Sequence, residues 1–214
     1  MARRLAAGER LVLASHNQHK LVELADLLRP HQVTVVSAAS LGLPEPPEDA
    51  PDFLGNARIK ALAAAHASGL PALADDSGFC VAALGGAPGV YSARWGGAAK
   101  DFAGAMARVH REMADADDQR AWFVAVLCLA WPDGHTESFL GRVDGITTLP
   151  PRGNHGFGYD PMFVPAGGST TFGELRAEEK REISHRARAF RQVLAACFDA
   201  VPATRSVPPP PSLP

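Results

Sequence analysis

The sequence predicts an α/β or α+β protein built on a mixed sheet. Two observations carry this expectation. Short apolar runs of strand length alternate with segments whose apolar residues recur at helical spacing, as layers of helix on sheet require. Late in the chain, two strand-like runs are separated only by Pro132-Asp133-Gly134, a turn that makes them antiparallel neighbours.

Residues 11–14 (LVLA) read as a buried strand, and polar residues 15–20 lead into a helix with Leu21, Leu24, Leu27 and Leu28 on one face. Residues 33–36 read as a second strand, 43–51 as a Pro-rich acidic loop, and 56–67 as an alanine-rich helix. Polar Asp75-Asp76-Ser77-Gly78 interrupts an apolar stretch, which predicts strand, turn, strand. A Gly-rich loop over 84–97 precedes a helix over 101–114. Residues 121–131 are the strongest candidate for a central strand, with 135–143 as its partner. A loop over 147–156, a short strand over 159–164 and a final helix over 178–198 follow. The last residues, 201–214, are rich in Pro and Ser and read as a disordered tail.

Composition excludes several classes. Of 214 residues, 46% are hydrophobic and 21% charged, which is the range of a globular protein rather than a disordered or collagenous one. Twenty-one basic residues against 23 acidic ones leave a net charge of −2, so nothing points to a duplex nucleic-acid binder. No run approaches the ~20 apolar residues of a membrane span. Cys80, Cys128 and Cys197 are far apart and odd in number, without CxxC or zinc spacing, which favours a reduced cytoplasmic setting. The N-terminal residues lack the pattern of a cleavable signal.

Five segments could carry chemistry. Ser15, His16, Asn17 and Lys20 lie at a strand-to-helix junction, where free backbone N–H groups and a lysine suit phosphate oxygens. The same residues equally describe an ordinary capped helix start. No GxxxxGK[ST] or GxGxxG is present. Asp75 and Asp76 are adjacent carboxylates beside apolar residues, costly unless a cation or donor meets them. Mg²⁺ is the favoured partner, because it takes oxygen ligands and phosphate together, although an Asp-rich turn is an equal reading. The acidic loop containing Glu45 and Glu48 offers further oxygens. Lys180, Arg181, His185, Arg186 and Arg188 form a basic cluster, in which Ser184 could cap a helix. Phe157, Gly158, Tyr159 and Asp160 combine permissive backbone, aromatic faces and an acceptor, features that a nucleotide base can use. Together these groups are what a nucleoside triphosphate with Mg²⁺ needs.

The ordered motifs LVLASHNQHKLVEL, NARIKA, ALADDSGFCV, LGGAPGVYSARWGG, GFGYDPMF and EEKREISHRARAF run from Leu11 to about Phe198. Over this span the chain resembles the Ham1-like family of noncanonical purine nucleoside triphosphate pyrophosphatases. The resemblance implies an elongated mixed β-sheet flanked by helices, with two lobes around a central cleft, as in Maf/Ham1-like proteins. It implies an N-terminal extension over 1–10, a single catalytic domain over 11–200, and the tail over 201–214. It also implies a cytoplasmic homodimer that hydrolyses ITP, dITP and XTP to the monophosphate and pyrophosphate with Mg²⁺. By the same resemblance Asp76 is proton acceptor and metal-associated, with Glu48 and Asp75 as further metal-holding carboxylates. Ser15, His16, Asn17, Lys20, Lys60 and Ser77 fall at phosphate and substrate positions. Phe157, Gly158, Tyr159, Asp160, Lys180, His185 and Arg186 fall at base-recognition and remaining substrate positions. Three positions depart from the family pattern: Ala50 for a glycine, Asp52 for a threonine, and Gly55 for a glutamate. The GFGYDP and SHR segments argue against a Maf-like enzyme, and the retained Asp76, Lys20 and Lys180 argue against a protein that only binds.

Overall fold

The structure is a computed structural model that describes residues 2–6, 8–31, 33–114 and 116–199. The tail expected over 201–214 and residue 200 lie outside the described residues. In chain order the elements begin β1 (Arg10–Leu13), α1 (Gln18–Leu28), β2 (Thr34–Ser37), α2 (Phe53–Ser68), β3 (Ala72–Val81) and α3 (Ser92–Trp95). They continue α4 (Phe102–Met113), β4 (Arg120–Ala130), β5 (Thr136–Thr147), β6 (Phe163–Pro165), α5 (Ala177–Ile183) and α6 (His185–Cys197). The strands form one six-stranded sheet in the order β2-β1-β3-β4-β5-β6. β1 runs parallel to β2 and β3, and the remaining pairs are antiparallel. The mixed α/β architecture expected from the alternation is therefore present.

β4 is apolar and buried along nearly its whole length, as a strand flanked by two others and covered on both faces must be. One face of the sheet packs Leu11, Leu13 and Leu73 against Leu24 and Leu28 of α1 and Phe190 and Val193 of α6. The other packs Val12, Ala72 and Ala74 against Ala57, Ala61 and Ala65 of α2, where small side chains let helix and sheet approach closely. A third cluster joins Phe79 and Val81 to Val109 of α4 and to Phe123, Phe163 and Phe172. The N-terminal residues belong to this packing: Leu5 is buried and its N–H donates to the carbonyl of Cys197 at 2.8 Å.

Besides the short helix α3, which lies within the loop expected over 84–97, four elements differ from the sequence expectation. Residues 75–78 are not a turn, because β3 runs unbroken through them, with Asp75 opposite Leu127 and Asp76 opposite Val126. Lysines and an arginine neutralise both carboxylates, so the strand keeps its ladder. The strand expected over 159–164 is displaced to Phe163–Pro165, because Asp160–Met162 forms a 3₁₀ turn with Pro161 near its start. β5 extends to Thr147, four residues past its expected end. The last helix is two helices, broken where Ser184 adopts extended backbone (φ −66°, ψ 156°) and its hydroxyl accepts from the Ala187 N–H.

The break allows the first turn of α6 to lie directly on β5 at Gly141. A Cβ at this position would sit 2.0 Å from the His185 carbonyl oxygen and 2.5 Å from the Ala189 nitrogen. Both are backbone atoms, so α6 would have to move. Gly141→Ala is expected to cost about 1–3 kcal/mol through overpacking, read as a lower Tm in thermal unfolding. An unchanged Tm would refute this account of the contact. No helix among the described residues is long and apolar enough to cross a membrane.

Candidate active site

β1 pairs with β3 only at Val12 opposite Ala72 and Leu13 opposite Leu73. Past that point β1 ends and its chain turns into α1, while β3 continues to Val81. A crevice opens where the two part, as it does at the carboxyl ends of strands in open sheets. The cleft holds a cavity of about 180 Å³. Ser15, Asn17, Lys20, Glu48, Lys60, Asp76, Ser77, Phe157, Gly158, Tyr159, Asp160, Lys180, His185 and Arg186 line it. Residues separated by more than 160 positions in sequence thus meet in one place.

Two of the expected residues stand apart from the lining. His16 sits at the rim of a smaller neighbouring cavity, its Nε2 3.2 Å from the Leu43 carbonyl oxygen. Asp75 is fully enclosed beneath the cleft floor. In a strand, consecutive side chains point to opposite faces. Asp75 therefore joins α1 and α6, while Asp76 joins α2.

Asp75 is a counter-ion. Lys20 Nζ lies 2.7 Å from one of its oxygens, to which the Ser77 hydroxyl also donates at 2.8 Å. Arg186 Nε donates to the other at 2.8 Å. Burial alone would raise its pKa, yet Arg186 and Lys20 hold it far below the ordinary carboxylate range. On sequence grounds Asp75 counts among the metal-holding carboxylates. Here both oxygens are already engaged by cations, so its place is to anchor Lys20 and Arg186. Arg186 is itself engaged at all three nitrogens, because Nη1 also donates to Glu23 and Nη2 to Ser77 at 2.9 Å, which uses three of its five N–H groups.

Asp76 differs in every respect. One oxygen accepts from Lys60 Nζ at 3.1 Å; the other is buried and has no hydrogen-bond partner. Burial raises its pKa above the ordinary value, and Glu48 adds to this against the pull of Lys60 and Lys20. Lys60 bridges to the acidic loop, 2.5 Å from Glu48 Oε1. Arg94 of α3 holds the same loop from across the cleft by donating to the Glu48 carbonyl at 2.5 Å.

The phosphate segment is shaped by a cap. Asn17 begins α1 and its side chain accepts from the His19 and Lys20 N–H groups at 3.0 and 3.3 Å. At the far wall, Asp160 accepts from the Phe157 N–H at 2.8 Å and from Lys180 Nζ at 2.7 Å. Lys180 also lies 4.9 Å from the centroid of the Phe157 ring, whose plane stacks on His19. Tyr159 is a core plug: its hydroxyl donates to the Ser92 carbonyl at 3.0 Å and its ring stacks on Phe79. His185 stacks on Phe123 with ring centroids 4.8 Å apart. Burial, reinforced by Arg186 and Lys180, pushes its pKa well below the ordinary value, leaving a neutral imidazole with an unpartnered Nδ1.

Glu23 was not singled out from the sequence. It lies on α1 between Lys180, at 3.4 Å, and Arg186, and so connects the two basic residues of the last helices to the phosphate segment. Its only sequence signal is position: one helical turn after His19–Lys20, on the face that carries Leu24 toward the core. Of the family departures, Asp52 has a plain function. It caps α2, accepting from the Gly55 N–H at 2.7 Å.

Fold and site together define a cleft-forming mixed α/β protein whose lysines, carboxylates and aromatic wall suit a polyanion carrying a flat ring. The Ham1 family pattern matches residues 11–196. The chain belongs to the Ham1 family. It is 61% identical over 199 residues to the dITP/XTP pyrophosphatase of Gluconobacter oxydans, covering 93% of this chain and 96% of the relative. It is 58% identical over 200 residues to the dITP/XTP pyrophosphatase of Rhodospirillum centenum, covering 92% and 98%. Among solved structures, a HAM1 protein from Coxiella burnetii superposes with a TM-score of 0.81 at 39% identity, covering 87% of this chain and 97% of that one.

Proposed function

We propose that the protein hydrolyses the noncanonical purine nucleoside triphosphates ITP, dITP and XTP to the monophosphate and pyrophosphate, removing damaged purines from the nucleotide pool. One observation carries the reading. The partnerless oxygen of buried Asp76 belongs to a cleft also lined by Lys20, Lys60 and Lys180, in a chain closely similar to dITP/XTP pyrophosphatases.

The carboxylates fit Mg²⁺, which commonly takes one or two protein carboxylates together with phosphate oxygens and water. Asp76 brings an oxygen with no other partner, and Glu48 is drawn to the same place through Lys60. These two residues would hold the ion, which neutralises phosphate charge when bound. Among the described residues no group of three or more His, Cys, Asp or Glu side chains is gathered, so the remaining ligands of the ion would be water or substrate oxygens.

The chain's own groups then divide the work. Lys20 and Lys60 bind phosphate oxygens as point charges, aided by Ser15 and the Asn17-capped start of α1. Asp76 accepts the proton of the attacking water, for which a raised pKa brings a carboxylate closer to working pH. Phe157 offers a face to the purine. A purine C6 carbonyl is met by donors from Arg186 or from the backbone beside it, and His185 offers a neutral ring nitrogen. An adenine amino group facing the same donors would leave polar groups unpaired, at about 1–3 kcal/mol each. We read the enzyme as a cytoplasmic homodimer; its three cysteines are free and buried, in keeping with a reducing compartment.

The test is pyrophosphate release from ITP, XTP, dITP, GTP and ATP, each with and without Mg²⁺. Release from the first three, dependent on Mg²⁺ and slower from ATP, is the expected result. Equal turnover of ATP and ITP would overturn the selectivity, and no release from any of them would favour a protein that only binds.

A further inference from the structure

The segment carrying Glu48 is pinned at several points. The Lys60 ammonium meets its carboxylate and Arg94 meets its carbonyl, both at 2.5 Å. Two residues on, the Ala50 N–H donates at 3.0 Å to Oδ1 of Asn56, which is buried in the first turn of α2. Ala50 thereby sits against Gly55. A Cβ added at residue 55 would lie 2.4 Å from the Ala50 Cβ and 3.3 Å from Asp52 Oδ1. An alanine Cβ has no rotamer to escape into, so relief has to come from the backbone. The packing has room for one methyl, and Ala50 supplies it.

We propose that Ala50 and Gly55 are a matched pair that seats the acidic loop on α2, and that this pair positions Glu48. Neither lines the cleft, and both act through Glu48, so they are positioning residues. The inference rests on the reading of Glu48 as a metal-holding group, and it gives that reading a mechanical basis. Displacing Ala50 displaces a carboxylate only two residues away, and the contacts on either side of it cannot follow.

The experiment compares the full-length protein with Gly55→Ala, Ala50→Gly and the double variant. Amide hydrogen exchange across residues 43–51 reports the seat of the loop. The Mg²⁺ concentration for half-maximal pyrophosphate release reports Glu48. Gly55→Ala is expected to raise both by about tenfold, the scale of coupling between residues in direct contact. The double variant, with the methyl moved to the other side of the contact, is expected to return both to within about twofold of wild type. Alanine is the better helix former, so an effect of propensity alone would tighten α2 in Gly55→Ala and would not be reversed by Ala50→Gly. A Gly55→Ala protein that behaves as wild type overturns the proposal, as does a double variant that stays as impaired as Gly55→Ala. Should Gly55→Ala fail to fold, the double variant decides alone: wild-type exchange supports the pair, and failure to fold rejects it. If the wild type shows no metal-dependent release while the exchange pattern holds, the metal role of Glu48 falls and the loop seat stands.

Discussion

Asp76→Asn is expected to lower turnover by about 10²–10⁴-fold, the span associated with loss of a general base, while leaving the protein folded and close to wild type in stability. The two halves of this expectation have separate causes. Turnover falls because an amide cannot take the proton from water and is a poorer ligand than a carboxylate. Stability holds because Asp76 is buried with one oxygen unpartnered, and its pKa is raised by that burial. A raised carboxylate pKa means that ionisation is less favourable in the folded protein than in the unfolded chain, a cost that offsets the support the charge gives to the buried Lys60 ammonium, whose pKa it helps to raise. The asparagine oxygen can still accept from Lys60. Pyrophosphate release and thermal unfolding, measured on the same preparation, check both halves. Unchanged turnover would remove Asp76 from the role of base.

Asp75→Asn is expected to do the opposite kind of damage. Removing this charge leaves Arg186 and Lys20 without their buried counter-ion, and breaking a buried ion pair from one side costs about 3–5 kcal/mol. The Asp75 side chain has no exposed surface, and that of Arg186 is 2% exposed, so solvent cannot screen the loss. Glu23 remains beside Arg186, which places the expected cost toward the lower end. For a protein of this size about 3 kcal/mol corresponds to a Tm lower by roughly 6–12 °C. The sign with pH is fixed by the depressed folded-state pKa. The stabilisation is present above the unfolded carboxylate pKa and is lost as pH falls below it toward the folded value. Wild type and variant should therefore converge in stability under strong acid, and a gap that persists there would refute the ion-pair account.

Much of this site was legible in the sequence, and the reasons for success and failure are physical. Lys20, Asp76, Phe157 and Lys180, which line the cleft, were singled out because several motifs occur together in one order; each motif alone also fits an ordinary cap, turn or surface helix. The central strand was found because an unbroken apolar run of that length has few other uses. What failed was local reading of segments whose conformation is decided by distant partners. Asp75-Asp76-Ser77-Gly78 has the composition of a turn, and only Lys20, Lys60 and Arg186, from three different helices, make it tolerable within a strand. The helix break at Ser184 reads as continuous because its flanks are strong helix formers, and Ser184 announces itself only as a possible cap. Glu23 stayed hidden because a glutamate on a helix is ordinarily solvated, and its partners lie more than 150 residues away. Gly141 carried no motif, since the backbone that crowds it belongs to α6.

The two neighbouring aspartates of β3 also set a rule of length. Their different fates depend on odd and even positions along one strand facing different layers. Inserting or deleting a single residue between Leu73 and Asp75 would exchange them, presenting the reactive carboxylate to Arg186 and the counter-ion to Lys60. A change of two residues would preserve parity. Odd changes there thus swap the faces of the two carboxylates, while even changes keep the faces but slide each carboxylate about 7 Å along the strand from its partner.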